Sequence, residues 1–299
     1  MTPSQSPTDF VSAFDAIIAN ALAEDLHAGD VTASATVPAH QVARARIETR
    51  EPVCVCGLEI ARRVFAAVDP TISFTPLATD GDRVEAGATL VKLAGNARAL
   101  LAGERTALNL LQRATAVATK TAAFVEKTSG GTRITDTRKT MPGLRALDRY
   151  AVRCGGGHNH RNDLGAGVLI KENHIRSAGS LEAAIAGARA TAPHTLRICC
   201  EVESLEEAAR AAAAGADALL LDNMDDAQVR DAVASLKDSL FLEASGGITL
   251  ARVETLSALG VDAISVGALT HSAQAVDLSM LFEFEPNEVP DDPAAQTRP

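Results

Sequence analysis

Tryptophan is absent, tyrosine occurs once, and aromatic side chains make up only 3% of the 299 residues. So few stacking platforms argue against a single-stranded nucleic-acid binder. The five cysteines, Cys54, Cys56, Cys154, Cys199 and Cys200, form a C-x-C and an adjacent pair but no C-x-x-C, and their number is odd. They are expected to be reduced core residues rather than a disulfide framework, redox pair or zinc site. No apolar run is long enough to span a bilayer, and the start, MTPSQSPTDF, lacks the basic and apolar regions of a secretory signal. The expected location is the cytoplasm, with no membrane partner. Positive charge is also short: 28 Lys+Arg face 38 Asp+Glu, a formal net charge of −10. Such a chain repels polyanions at long range, which disfavours nucleic-acid partners.

One segment breaks that pattern. Residues 132–176 hold nine Lys+Arg and four acids, a formal +5, while the remaining 19 basic and 34 acidic residues sum to −15. Concentrating guanidinium and ammonium groups in one glycine-broken stretch predicts a site for a small, highly anionic ligand.

The cadence of the chain predicts an α/β protein with a small N-terminal α+β domain followed by an incomplete β/α, TIM-like barrel. Residues 1–8 are expected to be disordered, 9–112 to form the first domain and 113–284 the barrel. Residues 285–299, rich in acid and proline, are expected to be a disordered tail. Within the first domain, DGDRVEAGATLVKLAG resembles half of a lipoyl-type carrier module. A carrier lysine belongs on an exposed hairpin tip, whereas Lys92 sits inside a strand-like run, so a structural hairpin is expected instead. A long helix is expected from Gly103, stopping at Gly130 and Gly131. After it, short apolar strands (RITDT, GVLIK, LRICCEV, ALLLDN, LFLEAS, AISVG) alternate with helices, one of them opened by a capping box of Ser204 and Glu207. Near-continuous apolar strands between helices imply a helix-covered parallel sheet.

In a β/α barrel the chemistry lies at the carboxyl ends of the strands. The polar residues Arg138, Lys139, Lys171, Glu201, Asp222, Ser245 and Gly267 all follow apolar strand residues at that end. The turns Ser245, Gly246, Gly247 and Val266, Gly267, Ala268 precede helices, and exposed amides at helix starts favour phosphate. Glu201 and Asp222 are left as general acids or bases, ligands for Mg²⁺ shared with substrate phosphates, hydroxyl acceptors, or simple neutralisers of nearby lysines. His158, His160 and His174 lack a zinc-like ligand spacing, and GGGHNHR suits a loop that presents donors to an anion.

The motifs TRKTMPGLRALDRYAVRCGGG, NHR, LIKENHI, EVE, LLLDN, EASGGI and ISVGALTHS resemble the quinolinate phosphoribosyltransferase family, and EDLHAGDVT and GERTALNLLQR extend the likeness over most of the chain. The resemblance implies phosphoribosyl transfer from 5-phosphoribosyl-1-pyrophosphate to quinolinate with Mg²⁺ and decarboxylation, in NAD synthesis. It implies that Arg105, Arg138, Thr140, His160, Arg161 and Lys171 bind substrate, with Lys139 between the two substrates. Glu201 and Asp222 would hold ribose hydroxyls or Mg²⁺, directly or through water. Ser245, Gly246, Gly247, Val266, Gly267, Ala268 and His271 would hold phosphate. The resemblance further implies a homodimer, alone or within a larger assembly, whose Arg105 reaches the neighbouring site, and a cation in a helix's first turn would otherwise oppose the macrodipole. Two positions depart from the family pattern: Ala166 where Asp is expected and Arg149 where Lys is usual. Competing readings are a paralogue acting on another ligand, a Schiff-base aldolase using strand-end lysines, and a non-catalytic carrier or binding protein.

Overall fold

A computed structural model describes residues 11–129 and 131–283. The ends expected to be disordered lie outside the described residues, as does Gly130. The described chain opens with helices α1 (Val11–Asp25) and α2 (Val31–Thr36), the second capped by Asp30, whose carboxylate accepts the Ala33 N–H at 2.8 Å. Strands β1 (Val42–Thr49) and β2 (Val53–Cys54) lead to helix α3 (Leu58–Val68), followed by β3 (Ser73–Pro76), β4 (Arg83–Val84) and β5 (Thr89–Asn96). Along β1 the buried residues Ala43, Ala45, Ile47 and Thr49 alternate with more exposed ones, so the strand lays one face on the core.

Helix α4 (Ala97–Val125) joins the two halves of the molecule. The side chain of Asn96 caps it by accepting the Ala99 N–H at 3.2 Å, so it starts six residues before the Gly103 expected from sequence. Its end at Val125 also precedes the glycines expected to stop it. Arg105 is therefore eight residues past the helix start, and the macrodipole argument for its placement fails. The expected boundary at residue 112 falls inside this helix. Leu100, Leu111 and Val117 are buried along it, packing the first domain and the barrel into one core.

The second half runs β6 (Arg133–Thr135), α5 (Arg145–Cys154), β7 (Val168–Ile170), α6 (Glu172–Ala178), α7 (Leu181–Thr191), β8 (Ile198–Val202), α8 (Leu205–Ala213) and β9 (Ala218–Asp222). It continues through α9 (Asp226–Leu236), β10 (Phe241–Ser245), α10 (Leu250–Leu259), β11 (Ala263–Ser265), α11 (Ala268–His271) and β12 (Leu278–Glu283). Six strands pair in parallel in the order β6-β11-β10-β9-β8-β7. Strands β6 and β7 are successive in sequence yet occupy opposite edges, with an isolated bridge from Thr135 to His158 on the β6 side of the gap. The barrel is thus incomplete.

Three local expectations need correction. Strand β12 leaves the barrel and pairs antiparallel with β1, in a four-stranded sheet ordered β12-β1-β5-β3, so the first domain is completed by the end of the described chain. No hairpin joins β4 and β5: β4 pairs with β2, and β5 pairs with β1 and β3, placing Lys92 in an interior strand. Ser204 does cap α8, but the Glu207 carboxylate accepts the Glu203 N–H rather than closing a box on Ser204. Among the described residues no helix is long and apolar enough to cross a membrane.

A buried ion pair locks this arrangement. Arg113 of α4 donates from Nε and Nη2 to the two carboxylate oxygens of Asp148 of α5, both at 2.9 Å, and Asp148 has no solvent exposure. Replacing Asp148 by Asn keeps the volume but leaves Arg113 without its counter-charge. The expected loss is about 3 kcal/mol, the low end for breaking a buried pair because Arg113 retains some solvent. Urea unfolding of Asp148→Asn measures it, and a stability equal to that of the unaltered protein would refute the assignment.

Candidate active site

The residues expected to face the carboxyl ends of the barrel strands are found there. Glu201 is the fourth residue of β8, Asp222 ends β9, Ser245 ends β10, and Lys171 follows β7 as the N-cap of α6. In the parallel register Ser245 lies opposite Asp222, and the Asn223 N–H donates to the Ser245 carbonyl at 3.0 Å. Gly246 follows with φ +91°, and a Cβ there would come within 2.2 Å of the Asn223 Oδ1. Only glycine fits that turn, which leaves Ser245, Gly246 and Gly247 as a close backbone approach ahead of α10, itself capped by Thr249.

The loop after β6 meets the loop after β11. The buried Thr270 hydroxyl donates to the Lys139 carbonyl at 2.8 Å, and the Arg113 Nη2 donates to the Thr270 carbonyl at 2.5 Å. A Cβ on Gly267 would sit 3.1 Å from Lys139 Cδ and 3.2 Å from His271 Cδ2, so the Lys139 side chain runs across Gly267 beside His271. The cationic loop and the glycine loop therefore form one surface, bordered by Val266 and Ala268. Arg138 and Lys139 are exposed, and among the described residues neither side chain has an ion-pair partner. Thr140 is less available than expected, because its hydroxyl accepts from Arg145 Nε at 3.0 Å.

Two carboxylates differ in state. Lys171 makes an ion pair with Glu201, whose side chain is only 13% exposed, so the neutralising role left open for this residue is realised in the structure. Asp222 instead accepts from its neighbour Asn223 at 2.8 Å and has no cationic partner among the described residues.

The histidine loop lies in the gap between β6 and β7, and it is held more tightly than a loop of free donors would be. Asp136, fully buried, accepts the His160 N–H and the Asn159 side-chain amide, both at 2.7 Å, while Arg149 donates to the His160 carbonyl at 2.9 Å. Burial raises the Asp136 pKa, and the Arg149 charge and these hydrogen bonds oppose the rise. On the ring, Nδ1 accepts the Arg161 N–H at 2.7 Å and Nε2 lies 3.3 Å from the Glu243 carboxylate. Both ring nitrogens are thus engaged by the protein. His160 supports the loop that carries Arg161, and the direct substrate contact expected for it is not prepared in this conformation. Arg161 itself is anchored to the Gly167 carbonyl at 3.0 Å and lies close enough to Arg138 to feel its charge.

Asp136, Asn159, Glu243, Arg113 and Asp148 escaped the sequence reading. Glu243 carried a usable signal, being an acid in the interior of an apolar strand. Arg105 is exposed on α4, and among the described residues no hydrogen bond or ion pair joins it to this mouth. The departures have different weights: Arg149 works on Asp136 and the His160 carbonyl, whereas Ala166 is exposed. His158, less prominent in the sequence, has its pKa lowered by burial and by Arg133 and Arg153.

A cavity of about 1350 Å³ opens at the other end of the barrel, where Arg133, Val168, Phe241 and Ala263 begin their strands. It reaches His160, Arg161 and Glu243 but none of Lys139, Lys171, Glu201 or Asp222. The chemistry is assigned to the carboxyl-end mouth because the free cations, carboxylates and glycine turns converge there.

Fold and mouth together define a β/α-barrel enzyme that binds small polyanions. Two family models match nearly the whole described chain: the quinolinate phosphoribosyl transferase N-terminal domain over residues 30–115 and its C-terminal domain over 117–281. A probable carboxylating nicotinate-nucleotide pyrophosphorylase of Bacillus subtilis is 40% identical, covering 86% of this chain and 89% of that protein. The carboxylating nicotinate-nucleotide pyrophosphorylase of Mycobacterium leprae is 41% identical over 92% of this chain and 99% of its own length. The solved nicotinate-nucleotide pyrophosphorylase of Francisella tularensis superposes with a TM-score of 0.87 at 38% identity, covering 93% of this chain and 98% of that one. The chain belongs to the quinolinate phosphoribosyltransferase family.

The Glu243 carboxylate, by its hydrogen bond and charge, raises the His160 pKa above the ordinary 6.5, against the opposing effect of burial. The pair's stabilisation is complete below the unfolded value and fades as pH rises through the folded one. In Glu243→Gln the His160 pKa, read by NMR titration, is expected to fall, and the stability advantage of the unaltered protein is expected to shrink as pH rises above neutrality. An unchanged His160 titration would exclude the pairing.

Proposed function

We propose that the chain transfers the phosphoribosyl group of 5-phosphoribosyl-1-pyrophosphate to quinolinate, releasing pyrophosphate and CO₂ and forming nicotinate mononucleotide for NAD synthesis. Family membership supports this reading, and the observation that carries it to particular residues is Lys139 lying across Gly267, where the cationic loop after β6 meets the glycine turn after β11. The pyridine nitrogen attacks the anomeric ribose carbon, and the bond to pyrophosphate breaks with its electron pair leaving on oxygen. The ring is then a cation that accepts the electron pair of the adjacent carbon–carboxylate bond, and a proton replaces the departing CO₂.

Arg138, Arg161 and Lys171 serve the quinolinate carboxylates, with His160 setting the backbone of Arg161. Lys139, His271 and the amides of residues 245–247 and 266–268 serve phosphate oxygens. Developing positive charge on the ribose carbon is stabilised by Glu201 and Asp222 at the ends of neighbouring strands. These two carboxylates also suit Mg²⁺, being hard oxygen donors that leave room for substrate phosphates, and the ion would supply charge neutralisation for the leaving pyrophosphate. No covalent enzyme intermediate is needed, so Lys139 and Lys171 act as charges rather than Schiff-base nucleophiles. Family and composition favour a cytoplasmic location.

The direct test incubates the purified protein with Mg²⁺, 5-phosphoribosyl-1-pyrophosphate and either quinolinate or nicotinate, and measures mononucleotide and CO₂. Quinolinate should turn over and nicotinate should not; equal rates would overturn the proposal. Glu201→Ala and Asp222→Ala should each raise the barrier by about 2–4 kcal/mol while leaving the fold intact by circular dichroism. Unaltered turnover in both would remove the carboxylates from the mechanism.

Arg105, exposed and unpaired among the described residues, suits a role in the site of a second copy. If the active unit is a dimer with shared sites, inactive Arg105→Ala and Lys139→Ala chains should regain activity on subunit exchange, since a mixed dimer restores one intact site. No recovery despite demonstrated exchange would place Arg105 outside any shared site.

A further inference from the structure

The cavity at the amino ends of the barrel strands is lined largely by side chains outside the proposed chemistry, with Arg161 and its support His160 shared with the mouth. Arg133 begins β6, Arg153 lies in the last turn of α5, and Arg197 immediately precedes β8. Among the described residues none of the three side chains has a hydrogen bond or an ion-pair partner. Other arginines meet carboxylates: Arg46, Arg113, Arg189, Arg210 and Arg252 away from the cavity, and Arg62 and Arg149 on its lining. Asp217, which feels the charge of Arg197, is instead bound by Arg189 at 2.9 Å. In a chain with ten more acids than bases, leaving three guanidiniums unpaired around one cavity repeats the pattern of the catalytic mouth, where Arg138 and Lys139 are also left free.

We propose that this cavity is a second, non-catalytic anion site that takes a phosphate-bearing small molecule. Guanidinium groups offer paired donors that match the oxygens of phosphate, and the six arginines of the lining, Arg62, Arg133, Arg149, Arg153, Arg161 and Arg197, outnumber its three carboxylates, Glu59, Asp80 and Glu243, which suits a multivalent anion better than a single carboxylate. His158, half-buried beside Arg133 and Arg153, has its pKa lowered by burial and by both cations, in keeping with a positive field in the cavity. The lining also includes the apolar side chains of Phe74 of β3 and Phe241 of β10, and the volume exceeds what a phosphate group alone would fill. The ligand is therefore either inorganic polyphosphate or a phosphorylated molecule with an apolar body, the chemistry of a nucleotide.

Calorimetric titration separates this site from the catalytic one. In a Lys139→Ala chain, weakened at the mouth, inorganic pyrophosphate and a nucleoside diphosphate are titrated in turn, without Mg²⁺. Binding is expected to persist. Adding Arg153→Gln and Arg197→Gln, which removes two charged donors, should weaken it at least about tenfold, or about 1.4 kcal/mol. Tighter binding of the nucleoside diphosphate assigns the apolar side chains to its body, whereas equal binding assigns the site to polyphosphate alone. The added substitutions are near the cavity rim, and Arg197→Gln alone provides a milder variant if the combined one unfolds. No binding to the Lys139→Ala chain, or binding unaffected by the amino-end substitutions, overturns the proposal. Because turnover is not measured, either result is independent of which reaction the mouth performs.

Discussion

The contact between Arg113 and Asp148 is the constraint on which the mouth depends. Asp148 uses its two oxygens on Arg113 and also accepts the Met141 N–H at 3.1 Å, while Arg113 reaches on to the Thr270 carbonyl. Thr270 in turn holds the Lys139 carbonyl. One ion pair thus fixes the helix joining the domains, the helix after β6, the loop carrying Arg138 to Thr140 and the short helix after Gly267. Buried ion pairs often add little net stability compared with apolar packing, but a lost partner is costly, so such a pair tolerates few alternative geometries. Here that intolerance falls on the backbone on either side of Lys139.

Much of the active site was legible because a β/α barrel converts sequence order into spatial convergence. The apolar strands gave the six parallel strands, and the polar residue after each marked the carboxyl-end mouth. What remained hidden depended on groups that meet only after folding. Arg113 and Asp148 are 35 positions apart on two helices and look like ordinary solvated charges in sequence. Glu243 faces inward toward His160, which converts a residue read as an anion ligand into a support for its neighbour. The start of α4 was missed because the Asn96 cap, seven residues upstream, outweighs the glycine at 103. The barrel expected over residues 113–284 takes in β12, whose place in the first domain shows only in its pairing with β1.

The cationic groups of the mouth fall into two kinds, and the distinction has mechanistic weight. Arg113 and Arg149 are paired with buried carboxylates and Lys171 with Glu201, whereas among the described residues Arg138 and Lys139 have no ion-pair partners. Committed cations hold loops at little electrostatic cost because their charge is matched. Arg138 lies close enough to Arg161 to lower its pKa, so an anion held between them would relieve repulsion already present in the empty protein.

The gap between β6 and β7 explains why loop and barrel interior are coupled. A closed barrel would fill that gap with a paired strand and backbone hydrogen bonds. Here the segment from His158 to Arg161 occupies its β6 side, tied by the bridge to Thr135, by the Asp136 carboxylate and by the His160 contact to Glu243 in the opposite wall. Side chains have replaced a ladder. Protonation of His160 Nδ1 would remove the bond from the Arg161 N–H, and the Glu243 carboxylate favours the protonated ring by raising its pKa. The incomplete closure therefore supplies the place where the His160 ring, the buried Asp136 carboxylate and the backbone of Arg161 meet. The same opening lets the amino-end cavity extend to the underside of that arginine.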